Sequence, residues 1–323
     1  MSDKNAQPQA SPELVQASRE RLASYIRGVQ DASGFWSYKK GHGPSAEATA
    51  WCTLAMLRDE EAAEKGAAFL VANQDKSNGG WSTAPDTGFA EWATGPCLLS
   101  LRCLEKKGLG GKSVRRASGR GLLYLADSRV EFFPVVARLL MLMGGGRKDL
   151  EYARGWPWDP DCYHWVEPTS YHLMALKIPG LPRADLYIKV VQFANQFLLE
   201  NACVQGGWNH GNHISLGAEL PPYRLTTAEA LLALQEIPNN PKVVRAIEVL
   251  ESYEDEDSSP LSLALSCLAL DVYGRPRAKE LSYLLARQKD DGSFSVNNMV
   301  NGLVLLALAG ENPLKMSNSH ETT

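Results

Sequence analysis

One phrase recurs four times along the chain and limits what it can fold into. "QDASGFW" places Gln30, Gly34 and Trp36; "QDKSNGGW" places Gln74, Gly79 and Trp81; "NACVQGGW" places Asn201, Gly206 and Trp208; "QKDDGSF" places Gln288, Gly292 and Phe294. Each has an amide, three or four residues, a glycine, one residue and an aromatic. A charged amphipathic run precedes each copy: "SPELVQASRERLASYIRGVQ", "DEEAAEKGAAFLVANQ", "ADLYIKVVQFANQFLLEN" and "PRAKELSYLLARQ". An apolar run follows: "SAEATAWCTLAML", "FAEWATGPCLLSLRCL", "TTAEALLALQ" and "NNMVNGLVLLALA". Three further runs of the second kind fit between these, "VEFFPVVARLLMLM", "WVEPTSYHLMALK" and "SPLSLALSCLAL". The apolar runs begin near residues 45, 89, 130, 165, 224, 258 and 297. Most spacings suit a helix–turn–helix unit, and repetition at such a period means stacked hairpins.

Six or seven helical hairpins are expected, with charged helices outside and apolar helices inside. The inner runs carry few charges on any face, as helices covered on all sides do. That favours a closed ring over an open solenoid. The fold expected is therefore all-α, an (α/α)6-type toroid over residues 12–312. Residues 1–11 and 313–323 are expected to be disordered tails. In each joint the glycine supplies a turn with positive φ that ends the outer helix. The aromatic covers the turn, and the Gln amide can bond orphan backbone groups at helix ends.

Composition excludes several classes. Net charge is −4 with both signs interspersed, unlike a chain that grips phosphates, so no nucleic-acid partner is expected. Hydrophobic residues make up 44%, an ordinary globular share, without an unbroken apolar run of membrane-spanning length. The polar start "MSDKNAQPQASPE" has no signal-like apolar core. Six scattered cysteines without a C-x-x-C pair fit free thiols in a reducing compartment. The expected location is cytoplasmic, with peripheral membrane contact left open.

The Gln-x-x-x-(x)-Gly-x-Trp phrase between paired helices resembles the QW repeat of squalene–hopene and oxidosqualene cyclases. More widely, the chain is similar to the α/α toroids of terpenoid cyclases and protein prenyltransferase β-subunits, and to bacterial single-toroid members of that group. It is too short for the two toroids of a full squalene cyclase. The resemblance spans about residues 12–310 and implies an isoprenoid or other apolar chain as ligand. It also implies cyclisation started by an acid. In squalene–hopene cyclases that acid lies in Asp-x-Asp-Asp-Thr-Ala. The matching stretch here is Ser45 to Ala50, "SAEATA", with Glu47 at the middle acid. The oxidosqualene cyclase motif Asp-Cys-Thr-Ala-Glu matches "LTTAE", Leu225 to Glu229, with Leu225 at the acid position. Neither motif is intact.

What remains is a set of glutamates near the starts of inner helices: Glu47, Glu91 and Glu167. If inner and outer helices alternate in direction, all three share one mouth. An acid that protonates carbon must be neutral beforehand, through burial or a nearby carboxylate. Glu167 in "WVEPTS" is favoured, because Pro168 fixes the helix start and Trp165 can desolvate the carboxylate. A first-turn acid is also ordinary helix chemistry. Trp51, Trp92, Trp165, Tyr171, His172 and Phe132 are the substrate-binding candidates. Aromatic faces stabilise carbocations, and they also fill cores. The long loop 205–223 is expected to cap the same mouth.

Two alternatives stand beside the cyclase-like reading. One is a non-catalytic toroid that binds a lipid or a protein. The other is a zinc-dependent prenyltransferase-like enzyme. "DPDCYHW" resembles the Asp-x-Cys of prenyltransferase β-subunits, with the acid one position off. A zinc site would draw on Cys162, Asp159, Asp161, His210 and His213. No cofactor is expected in the cyclase-like reading. The acidic stretch "ESYEDEDSSP" reads as a solvated charge run ahead of an inner helix, not a Mg²⁺ motif.

Overall fold

The computed structural model describes residues 10–85, 92–127, 155–159, 162–180, 187–254 and 258–316. Twelve helices lie among them. The outer ones are α1 (Pro12–Gly28), α3 (Glu60–Ala72), α5 (Gly111–Asp127), α7 (Ile188–Glu200), α9 (Pro241–Ser252) and α11 (Ala278–Leu285). The inner ones are α2 (Ala46–Ala55), α4 (Thr94–Lys106), α6 (Val166–Lys177), α8 (Arg224–Ala233), α10 (Pro260–Val272) and α12 (Asn298–Ala307). Each inner helix packs on the next, from α2 through α4, α6, α8 and α10 to α12, and α12 packs back on α2. The ring is closed, and the chain is an (α/α)6 toroid.

Helix faces explain the two layers. Outer α9 buries Val243, Ala246, Ile247 and Leu250, one stripe at i, i+3, i+4 and i+7. Inner α2 buries every residue from Ala46 to Leu54. Its neighbours approach closely: a Cβ on Gly302 of α12 would lie 3.0 Å from the Trp51 backbone, so glycine lets the last helix close on the first.

The joints behave alike. Gly34, Gly79, Gly206 and Gly292 all have φ near +90°, between 87° and 97°. The indole N–H of Trp36, Trp81 and Trp208 donates to a carbonyl near the end of the preceding outer helix, on Ile26, Leu70 and Leu198 respectively. Gln30 ties its own joint to Ala62 of α3, and Gln74 ties its joint to Ala117 of α5. Gln288 reaches Ser18 of α1, so the outer ring closes as well. A threonine of the following inner helix accepts the backbone N–H of the aromatic: Thr49 from Trp36, Thr94 from Trp81 and Thr227 from Trp208.

The same bond joins Trp156 to Thr169 at 2.9 Å, which marks a fifth joint just before α6. Sequence reading instead took 130 and 165 as starts of two inner helices. The 130 run lies outside the described residues. Since α4 packs directly on α6, six inner helices close the ring without it.

Two short antiparallel ladders decorate one end. β1 (Trp156–Pro157) pairs with β2 (His164–Trp165), and β3 (Ile214–Ser215) pairs with β4 (Ala218–Glu219). Between β3 and β4 the fully exposed Leu216 has φ 51°.

The other end holds a correction. Residues 313–316, expected in a disordered tail, are docked. Leu314 is 1% exposed, its carbonyl accepts from the Gln235 amide at 3.0 Å, and the Met316 N–H donates to the Gln235 carbonyl oxygen at 2.8 Å. Asn312 bonds the Leu268 carbonyl at 3.1 Å. This strap crosses from α12 to the ends of α10 and α8. None of the described helices is long and apolar enough to cross a membrane.

Candidate functional site

Every inner helix follows its joint in the same direction, so the inner N-termini share one mouth. Glu47 is the second residue of α2 and Glu167 the second residue of α6. Both act on each other electrostatically, and a third acid joins them. Glu229, in the second turn of α8, is fully buried. Glu91, Phe132 and Asp161 lie outside the described residues.

Glu229 and Tyr171 form the inner wall. The Tyr171 hydroxyl donates to Glu229 Oε1 at 2.8 Å, while the buried Glu229 Oε2 has no hydrogen-bond partner. The Trp51 ring meets Tyr171 edge-on, with centroids 5.3 Å apart, and its indole N–H is likewise buried and unpaired. Glu47 accepts from the Tyr38 hydroxyl and from Trp92. Trp92 meets the Trp158 ring edge-on at 5.1 Å. Glu167 is at the lip, its side chain partly open while its surroundings are mostly protein.

Burial dominates the acid strengths. It raises the Glu167 carboxyl to about 8, with the charge of Glu47 adding to the effect. It raises Glu229 well above the carboxylate range; Glu167 and Glu47 push further, and only the Tyr171 hydroxyl opposes. Glu47 is raised by burial, against hydrogen bonds from Tyr38 and Trp92 that favour its anion. Among the described residues no lysine or arginine forms an ion pair with any of the three. Burial without a cation is the condition under which a carboxyl stays protonated at neutral pH.

The remaining candidates divide. Trp51, Tyr171 and Trp92 touch the acid cluster or its partners. Trp165 is half-buried and faces His210 at 6.1 Å; His210 faces Tyr223 at 5.1 Å. The Val166 N–H donates to the His210 carbonyl at 2.9 Å, which seats the 205–223 loop against the first turn of α6, beside Glu167. His172 points elsewhere. It stacks flat on Trp156 at 5.1 Å, binds the Pro168 carbonyl, and burial lowers it to about 4. It is a neutral packing histidine on the outer side of α6, not a group of the acid cluster.

The zinc candidates among the described residues do not converge. Among the described residues no three His, Cys, Asp or Glu side chains are placed to hold a metal ion. Cys162 is exposed, His210 is held between two aromatic rings, and the His213 carbonyl closes the β3–β4 hairpin through Leu220.

The centre of the ring is closed among the described residues. Ala46 to Leu54 of α2, Thr94 to Leu104 of α4 and Asn301 to Ala307 of α12 are all buried, so no accessible stripe runs down these helices. Their side chains fill the centre, and the acids lie at its N-terminal end.

Solved structures share this architecture. A variant of the type II terpene cyclase MstE from Scytonema, in complex with the product merosterolic acid A, aligns over 92% of this chain and 96% of its own, with a TM-score of 0.63 and 12% identity. A wild-type glycosidase aligns over 94% and 98%, with a TM-score of 0.64 and 12% identity. An α-amylase from Clostridium perfringens aligns over 90% and 96%, with a TM-score of 0.61 and 12% identity. No protein-family model matches the chain, and no curated protein sequence matches it. Fold and site together define a single α/α toroid with a carboxyl cluster at one mouth. Toroids this similar include both terpene cyclases and glycosidases, so function must be argued from the cluster itself.

Proposed function

We propose that the protein is an acid catalyst acting on an isoprenoid or similar apolar alkene, with Glu167 as proton donor. The observation that carries this is the cluster of Glu47, Glu167 and Glu229, two of them buried and Glu167 at the lip, with no ion-paired cation among the described residues. A carboxyl with a pKa of about 8 is about nine-tenths protonated at pH 7. The Glu167 proton moves to an alkene carbon: the O–H bond breaks, a C–H bond forms, and a carbocation and a carboxylate remain. The half-buried Trp92 and Trp165 rings at that mouth offer faces to the cation. Loss of a proton from the cation to the carboxylate would end the reaction and restore the acid. Tyr171 holds Glu229 in place behind it. Because the described centre is filled, the substrate would lie across the mouth under the 205–223 loop.

A second reading has its own support. Glu47 accepts two hydrogen bonds that favour its anion, while Glu167 is held neutral. Two carboxyls of unequal acidity at one mouth are also the pairing that hydrolyses glycosides. Incubation with C15 to C30 polyprenyl alcohols and hydrocarbons, and separately with aryl glycosides, distinguishes the two. Cyclised or double-bond-shifted hydrocarbon that disappears in Glu167→Gln is the expected result. Sugar release that depends on Glu47 and Glu167 would replace the alkene reading with the glycoside one. No turnover of either class, together with no thermal shift from any isoprenoid, would leave a non-catalytic toroid.

A further inference from the structure

A large cavity among the described residues lies at the opposite end of the barrel from the acids. It encloses about 960 Å³, near the top of the roughly 300–1,000 Å³ range of small-molecule sites. Its floor is apolar: Leu54, Met56, Leu57, Leu305, Leu306 and Ala309 come from the C-terminal ends of α2 and α12 and the turns that follow them. Its wall is the flank of α1 that carries Arg19, Glu20, Ala23 and Arg27, and the docked strap from Glu311 to Met316. Its rim is charged and weighted toward cations. Arg27 is paired with Asp59, and Lys107 lies 3.7 Å from Glu311. Arg19, Arg58, Lys106 and Lys315 form no ion pair among the described residues.

Cations gather at helix C-termini for dipole reasons alone, and Lys106 fits that account. Arg19 does not, because it sits in the middle of α1, and Lys315 does not, because it sits in the strap. Six cations against four acids (Glu20, Asp59, Asp271 and Glu311), four of the cations with no carboxylate partner among the described residues, surround a greasy floor and complement one kind of molecule. We propose that this cavity binds an anionic amphiphile: a single apolar chain on the leucine floor, with its phosphate or carboxylate head on Arg19, Arg58, Lys106 and Lys315. The strap forms one wall of the site, so a bound chain is held partly by residues 311–316. The site is independent of the chemistry at the acid mouth and does not rest on the reading given above.

Calorimetric titration with four dodecyl probes, each below its micelle concentration, tests this. The probes are dodecyl phosphate, dodecanoate, dodecyl maltoside and dodecyltrimethylammonium. Saturable one-to-one binding of dodecyl phosphate or dodecanoate is expected, and the preference between them identifies the head. The maltoside should bind at least tenfold more weakly and the ammonium not at all. The exposed-site double substitution Arg58→Ser with Lys106→Ser should weaken anionic binding at least tenfold. Ala309→Trp, which fills the floor, should abolish it, with circular dichroism confirming that both variants fold. Equal binding of the neutral or cationic probe, anionic binding unchanged in either variant, or no binding of either anion would overturn the proposal.

Discussion

Glu280 and Glu229 are both buried acids, 1% and 0% exposed, and they are handled in opposite ways. Glu280 of α11 faces Arg224 at 2.9 Å, and that guanidinium also donates to Ser266 at 3.1 Å and Ser258 at 3.2 Å and lies over the Tyr253 ring at 5.6 Å. Charge, hydrogen bonds and an aromatic face are all supplied, so the pair can stay ionised inside the protein. Glu229 has one hydroxyl partner, one unpaired oxygen and two further carboxyls as neighbours. The same residue type is thus a structural anion in one place and a stored proton in the other. Partners decide which, more than depth of burial does.

The largest expected effect breaks the structural side of this contrast. Arg224→Met leaves Glu280 buried and unpaired and should cost about 3–5 kcal/mol in chemical denaturation. Replacing both partners with apolar residues should restore most of that loss. Glu167→Gln removes the transferable proton while keeping shape. Turnover of the active substrate should fall about 10²- to 10⁴-fold with melting temperature nearly unchanged. Retained turnover would show that Glu167 is not the donor.

Smaller effects sharpen the other side. Tyr171→Phe takes away the only hydrogen bond that the Glu229 carboxyl makes among the described residues and should cost about 1–3 kcal/mol. Its signature is a further rise in the pH at which the cluster ionises. Glu229→Gln should cost less than about 1 kcal/mol, since an amide replaces a group that is already neutral. A loss as large as that of Arg224→Met would mean Glu229 is ionised and paired after all.

The pH dependence of stability follows from the same groups. A folded carboxyl raised from 4.5 to about 8 holds a proton that the unfolded chain has released, so its stabilisation fades as pH rises through that interval. His172, lowered from 6.5 to about 4, acts in the reverse sense between those values. The two oppose each other below pH 6.5. Between 6.5 and 8 the carboxyl acts without that opposition, and melting temperature should fall across this window. Glu167→Gln should flatten the fall; an unchanged slope would place the proton elsewhere.

The ring was legible in the sequence because its joints repeat a chemical requirement: a glycine with positive φ, an indole over the turn and an amide that bridges to the next helix. The fifth joint was missed, since "ARGWPW" has no Gln. It keeps another signal, a tryptophan thirteen residues before a threonine, as in Trp36 to Thr49, Trp81 to Thr94 and Trp156 to Thr169. Glu47 and Glu167 were found because first-turn acids are visible in a pattern of helix starts. Glu229 lies deeper in α8. Its clue was a lone acid in the otherwise uncharged "LTTAEALLAL", read there only as the end of a motif. The strap was hidden because Leu314 is one apolar residue among polar neighbours, and no periodicity reveals a single anchoring side chain. The filled centre could not be read at all, because helix patterns show which faces are covered but not by what.

The central claim is that Glu167 is a neutral acid at physiological pH. Carbon-13 NMR of protein labelled at the glutamate carboxyls, with the resonance assigned by its loss in Glu167→Gln, measures this directly. A titration midpoint near 8 is the expected result. A midpoint near 4.5, the ordinary glutamate value, would contradict it and leave Glu167 as a solvated first-turn acid.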